Sequence, residues 1–187
     1  MKLFASILCV LIIFIIDFSI KKANRTSHKS ENPNEICNGL RNLALQMSLK
    51  DMEGINPVGT HGVFGVLMET GHSMATVTLS TFITGDASLY FSSGGGIIGG
   101  GGYDQVRRAV VNFNEIADRY ISNCQKTTFS PTPMEGQTIF YILTREGIYT
   151  YQAKEGDLGN ERNALSPLFF KGQEVITQFR LATENKK

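Results

Sequence analysis

From Val106 to Cys124 the apolar residues recur with the period of an α-helix: Val106, Ala109, Val110, Phe113, Ile116, Ala117, Tyr120, Ile121 and Cys124 fall on one side. Arg107, Arg108, Glu115, Asp118 and Arg119 are among the residues that face away. A helix with one broad apolar face has to bury it against a second layer, and the flanking sequence offers a sheet. On the N-terminal side "VFGVLM" (63–68), "ATVTLSTFIT" (75–84) and "ASLYFS" (87–92) are rich in β-branched and aromatic residues and are separated by turn sequences. On the C-terminal side "QTIFYILTREGIYTYQA" reads as a hairpin turning at Arg145-Glu146-Gly147.

Two more helices frame these strands. Asn32 can cap a helix that opens on Pro33, with Glu35 completing an arrangement like a capping box and Ile36, Leu40, Leu43, Ala44 and Met47 predicting its buried stripe. Ser166-Pro167 opens the last helix, with Leu168, Val175, Ile176 and Phe179 inward. The polar run "KEGDLGNERN" before it reads as a loop. The resulting order, α-β-β-β-α-β-β-α, predicts an α+β domain over 33–187: a five-stranded, mainly antiparallel sheet with two to three packed helices. That order resembles profilin-like and roadblock-type domains, small modules that bind partners or ligands, and the resemblance implies a binding role.

The N-terminus is of a different kind. "LFASILCVLIIFII" (3–16) is apolar apart from Ser6 and follows Lys2. As a helix its fourteen residues span roughly 21 Å, against a hydrocarbon core of about 30 Å, so both a signal peptide and an anchor extended to Ile20 fit. No pair of small residues marks a cleavage site in "DFSIKKANR", which favours an uncleaved anchor over 1–20. The polar stretch 21–32 then reads as a tether. Lys21, Lys22, Arg25 and Lys29 would hold the domain on the cytoplasmic side, whereas signal-like segments with short tails export the domain attached to them. We expect a single-pass membrane protein with an extracytoplasmic domain; a cytoplasmic orientation and secretion after cleavage are the alternatives.

Composition narrows the function. Eighteen basic and seventeen acidic residues leave a net charge of +1, without the basic footprint of a nucleic-acid binder. Three cysteines, Cys9, Cys37 and Cys124, have no zinc-site spacing, and no metal or cofactor is expected. Cys37 and Cys124 could form one bridge in an oxidising compartment.

Seven glycines stand among the nine residues Gly94 to Gly102, just before the 106–124 helix. Gly94, Gly95, Gly96, Ile97, Ile98 and Gly99 formally spell G-x-G-x-x-G, but the strand before them belongs to an antiparallel set and no acidic residue ends a following strand. No Gly-Lys-Ser/Thr follows either, and Asp104, expected to cap the helix, opposes a phosphate at that point. Three readings remain. The glycines could serve close packing alone. With Arg107 and Arg108 they could hold an anion such as a phosphate or nucleotide, as in a small-ligand sensor. With Ile97 and Ile98 exposed they could meet a protein partner. A hydrolase using Ser92, His72 and Glu69 is a weaker alternative, since no G-x-S-x-G elbow surrounds the serine. The preferred expectation is a non-enzymatic binding or adaptor module acting on a protein partner.

Overall fold

The structure, a computed structural model, describes residues 32–52 and 54–184. The expected membrane segment at 1–20, with Cys9, and the tether up to residue 31 lie outside them. Among the described residues no helix is long and apolar enough to cross a membrane.

Helix α1 (Pro33–Gln46) leads through a 3-10 turn to β1 (Val63–Gly71), β2 (Thr76–Phe82), β3 (Ala87–Phe91) and β4 (Gly96–Ile98). Helix α2 (Asp104–Ala117) continues as a 3-10 stretch to Asn123, and β5 (Gln125–Thr127), β6 (Gln137–Thr144) and β7 (Gly147–Lys154) follow. A short α3 (Glu155–Gly159), where a loop was expected, and the long α4 (Ser166–Glu184) complete the chain. The α+β class and antiparallel sheet are as expected, but the sheet has seven strands instead of five, in the order β4-β3-β2-β1-β6-β7-β5. The two additional strands are the three-residue edges. One is embedded in the glycine run and the other, Gln125-Lys126-Thr127, is polar; neither is long enough to show an alternating pattern. Short edges of this kind limit unwanted strand pairing.

Every residue of β1 is buried because both faces of the central strand are covered. On one face Val66, Met68, Leu79, Phe140 and Ile142 meet Val110 and Phe113 of α2 and Leu168, Val175 and Phe179 of α4. Gly172 lets α4 approach closely, since a Cβ there would lie 2.6 Å from the Met68 sulfur. The one polar group that α2 sends inward, Asn114, donates to Thr81 Oγ1 at 3.1 Å and to the Val110 carbonyl at 2.9 Å.

The other face carries Leu67, Ile139, Tyr141 and Leu143 beneath α1. Of the expected stripe Ala44 is buried and Leu40 and Met47 are half-buried, but the inward face is rotated toward Cys37 and Arg41. Cys37, Arg41 and Ala44 point inward, whereas Ile36 and Leu43 are 47% and 65% exposed. The reason lies in the sheet, where a buried carboxylate, Glu69, needs a cation that only the Arg41 side of the helix supplies.

Candidate functional site

The chemistry-bearing residues fall into three sets, and each has a different fate. Beneath α1, Arg41 Nε donates to both Glu69 oxygens at 2.8 and 2.9 Å, and their side chains are 8% and 0% exposed. Thr78 Oγ1 donates to the same carboxylate at 3.0 Å. Arg41 Nη2 reaches the Pro131 carbonyl at 3.1 Å, and the Tyr141 hydroxyl donates to that oxygen too. The guanidinium carbon also stands 5.3 Å from the centre of the Tyr141 ring. One ion pair therefore ties together α1, β1, β2, β6 and the segment leading into β6. Charges so buried are costly and need every partner they have.

The titratable neighbours are held in their neutral forms. Burial raises the Cys37 thiol, with the Glu69 charge adding to the effect and Arg41 opposing it. Burial raises the Tyr90 phenol likewise, and its hydroxyl makes no hydrogen bond of normal geometry. Tyr141 is pushed up to about 12, first by burial, against the pull of Arg41. A protonated thiol, protonated phenols and a carboxylate locked to arginine supply neither nucleophile nor base. The cluster holds the fold together.

Tyr141 also predicts a pH response. Its folded value lies above the ordinary value near 10, so as pH rises past about 10 the unfolded chain releases the proton first. Stability should therefore fall between about pH 10 and 12, and Tyr141→Phe should flatten that fall in denaturant titrations. An unchanged slope in the variant would assign the effect elsewhere.

The glycine run forms the second set. Gly96 to Ile98 pair with β3, and Gly100 to Gly102 make a 3-10 turn into α2. Tyr103 occupies the cap position, so Asp104 is the first helical residue and not the cap. A Cβ on Gly96 would lie 2.5 Å from the Leu89 carbonyl oxygen, and one on Gly100 would lie 2.3 Å from the Phe179 ring. Arg107 is committed to this turn, its Nη2 donating to the Gly101 carbonyl at 2.7 Å and its Nε at 3.2 Å, with its stem across Gly85. Of the two cations assigned to an anion cradle, this leaves Arg108, exposed on α2.

Close packing thus accounts for Gly100 and Gly101 at the α2 end, and the consequence is measurable. Arg107→Ala should cost about 1–2 kcal/mol, a drop of roughly 2–8 °C in melting temperature, and inorganic phosphate should shift neither protein. A phosphate-dependent stabilisation lost in the variant would restore the cradle.

Ile97 and Ile98 are not equivalent. Ile97 is half-buried opposite Leu89, on the α2 face, whereas Ile98 is 67% exposed on the α1 face, opposite Ser88. Gly94 lies against Pro33, where an added Cβ would come within 3.1 Å. The glycine hairpin therefore sits beside the first turn of α1.

The third set is the proposed hydrolase. It is not assembled, because Glu69 is sealed under α1, Ser92 Oγ accepts from the Thr76 amide at 2.8 Å, and His72 lies near Glu155 instead. Burial raises the Glu155 carboxyl, with His72 acting in the opposite sense. Cys37 and Cys124 are both free, so the bridge they could form in an oxidising compartment is not made here. The Cys124 thiol donates to the Tyr120 carbonyl at 3.2 Å, and burial raises it to about 11. Among the described residues no group of histidines, cysteines and carboxylates could hold a metal ion.

Sequence reasoning missed the Arg41–Glu69 pair. Its signal was present as an arginine between Leu40 and Leu43 on an amphipathic helix and a glutamate inside the otherwise apolar "VFGVLMET". No known protein family, no curated protein and no solved structure matches this chain.

Proposed function

We propose that the chain is a small non-enzymatic binding module, anchored in a membrane or exported through residues 1–20, that meets a protein partner along the flank of α1 and β4. The observation that carries this reading is the exposure of Ile36, Leu43 and Ile98, at 47%, 65% and 67%, on the same face of the sheet. Ile36 and Leu43 are two helical turns apart and form one stripe. The Gly94–Pro33 approach brings the β4 hairpin next to the first turn of that helix, the turn that carries Ile36. Beyond Ile98 the backbone of β4 has no further strand, and an edge beside apolar side chains suits a polypeptide better than a phosphate.

The flank of α1 and β4 keeps one part of the glycine-loop expectation, Ile98 with Gly94 to Gly96, and replaces Arg107 and Arg108 by Ile36 and Leu43. An extracytoplasmic setting fits the N-terminal apolar segment and belongs to the same proposal. Ile36→Asp, Leu43→Asp and Ile98→Asp change exposed positions, so each should alter stability by no more than about 0.5 kcal/mol. Together they should abolish co-purification of a partner from the native host, while Arg108→Asp, on the other face, should leave it intact. Retention of the same partner by the triple variant would refute the assignment.

A further inference from the structure

Among the described residues the core beneath α1 is left open at the end where the chain leaves that helix. Phe64 and Leu143 belong to this core, and Met47, Leu49 and Ile148 pack against it. The same five side chains line an open groove of about 320 Å³ between the exit of α1 and the β6–β7 turn. Lys50 and Arg145, one from each side, also line it, with Ser48, Thr144 and Gly147. Both cations are exposed, and neither has an ion-pair partner among the described residues. The acids next to them in sequence make their hydrogen bonds elsewhere, although the Asp51 carboxylate still feels the Lys50 charge. Asp51 accepts from the Ser48 amide and hydroxyl at 2.8 and 2.7 Å, and Glu146 accepts from the Tyr149 hydroxyl at 3.1 Å.

We infer that this groove binds a single-chain amphiphile with an anionic head, a medium-chain fatty acid, with the chain against Phe64, Leu143 and Ile148 and the carboxylate between Lys50 and Arg145. Charge and shape carry the choice. Two cations at an apolar groove complement one negative group at the end of an apolar chain. At about 30 Å³ per heavy atom, the volume corresponds to on the order of ten atoms, the size class of a medium-chain fatty acid whose head lies at the open side of the groove. A neutral apolar ligand would leave both cations idle, and a highly charged one would waste the apolar lining. Met47 stands one helical turn from Leu43, so the groove adjoins the partner flank, but its lining includes none of Ile36, Leu43 and Ile98 and neither proposal depends on the other.

The test uses the full chain in nanodiscs of zwitterionic lipid, labelled with ¹³C-methyl methionine, because the Met47 methyl reports directly on the groove. Decanoate should shift that resonance saturably, while the exposed Met74 and Met134 stay in place. Lys50→Gln/Arg145→Gln should weaken the affinity at least tenfold, with the remaining methionine resonances unmoved as proof of an intact fold. Acetate and decyltrimethylammonium should leave Met47 unshifted. An immobile Met47 with decanoate would overturn the proposal, as would equal affinity in the double variant or an equal response to decyltrimethylammonium. A Met47 shift produced by an acidic peptide but not by decanoate would also overturn it, and would turn the groove into a peptide site.

Discussion

Arg41→Ala is expected to lower the free energy of unfolding by about 3–5 kcal/mol and the melting temperature by on the order of 10 °C. Truncation removes the one cation that pairs with Glu69 among the described residues, and leaves a carboxylate of 0% exposure with Thr78 as its hydroxyl donor there. It also frees the Pro131 carbonyl from the guanidinium, loosening the segment that precedes β6. Arg41→Met combined with Glu69→Leu should recover most of the loss, because two apolar side chains of similar volume avoid the desolvation that the pair must offset. The pattern to look for in denaturant melts is a large single-variant loss with strong non-additivity. Equal and additive losses would mean that the two side chains act separately and that the ion pair does not dock α1.

Gly100→Ala gives the second large effect, about 1–3 kcal/mol, because its Cβ would meet the Phe179 ring at 2.3 Å and Val106 at 3.1 Å. Gly96→Ala should cost at least as much, since the obstacle is backbone, the Leu89 carbonyl oxygen at 2.5 Å, and the residue has φ of 153°. Gly102→Ala meets nothing within 4 Å and has no positive φ, so it should be neutral to slightly stabilising. A loop built for ligand or motion would show no such ranking. Comparable melting temperatures for all three variants would contradict the packing account of the glycines.

The parts of the fold that were legible follow from strong local periodicity. The α2 helix is buried at Val106, Ala109, Val110, Phe113 and Ala117, and the strands β1, β2, β3, β6 and β7 lie where β-branched and aromatic runs placed them. The two edge strands were not legible, because three residues pair only where a long neighbour presents a register for them. The orientation of α1 was misread for a different reason. Its Ile36/Leu40/Leu43 stripe is the more apolar one, yet a buried charge pair outweighed it, and no reading of the helix alone contains Glu69.

The candidate sites were legible only in part. The glycine run is conspicuous in sequence, and tertiary contacts with Pro33, Phe179 and Asp86 explain much of it. The groove was invisible because Met47, Phe64 and Ile148 meet only in the folded chain. Of the two isoleucines expected to be exposed, Ile98 is exposed and Ile97 half-buried, since alternation along β4 sends neighbours to opposite faces.

Site-specific photocrosslinking in the native host tests the partner flank most directly. With p-benzoylphenylalanine in place of Leu43 or Ile98, one discrete adduct of the same mass is predicted from both positions. The same probe in place of Arg108, exposed on the opposite side of the sheet, should give none. No adduct from either flank position, or an identical adduct from all three, would contradict a partner contact on the flank of α1 and β4.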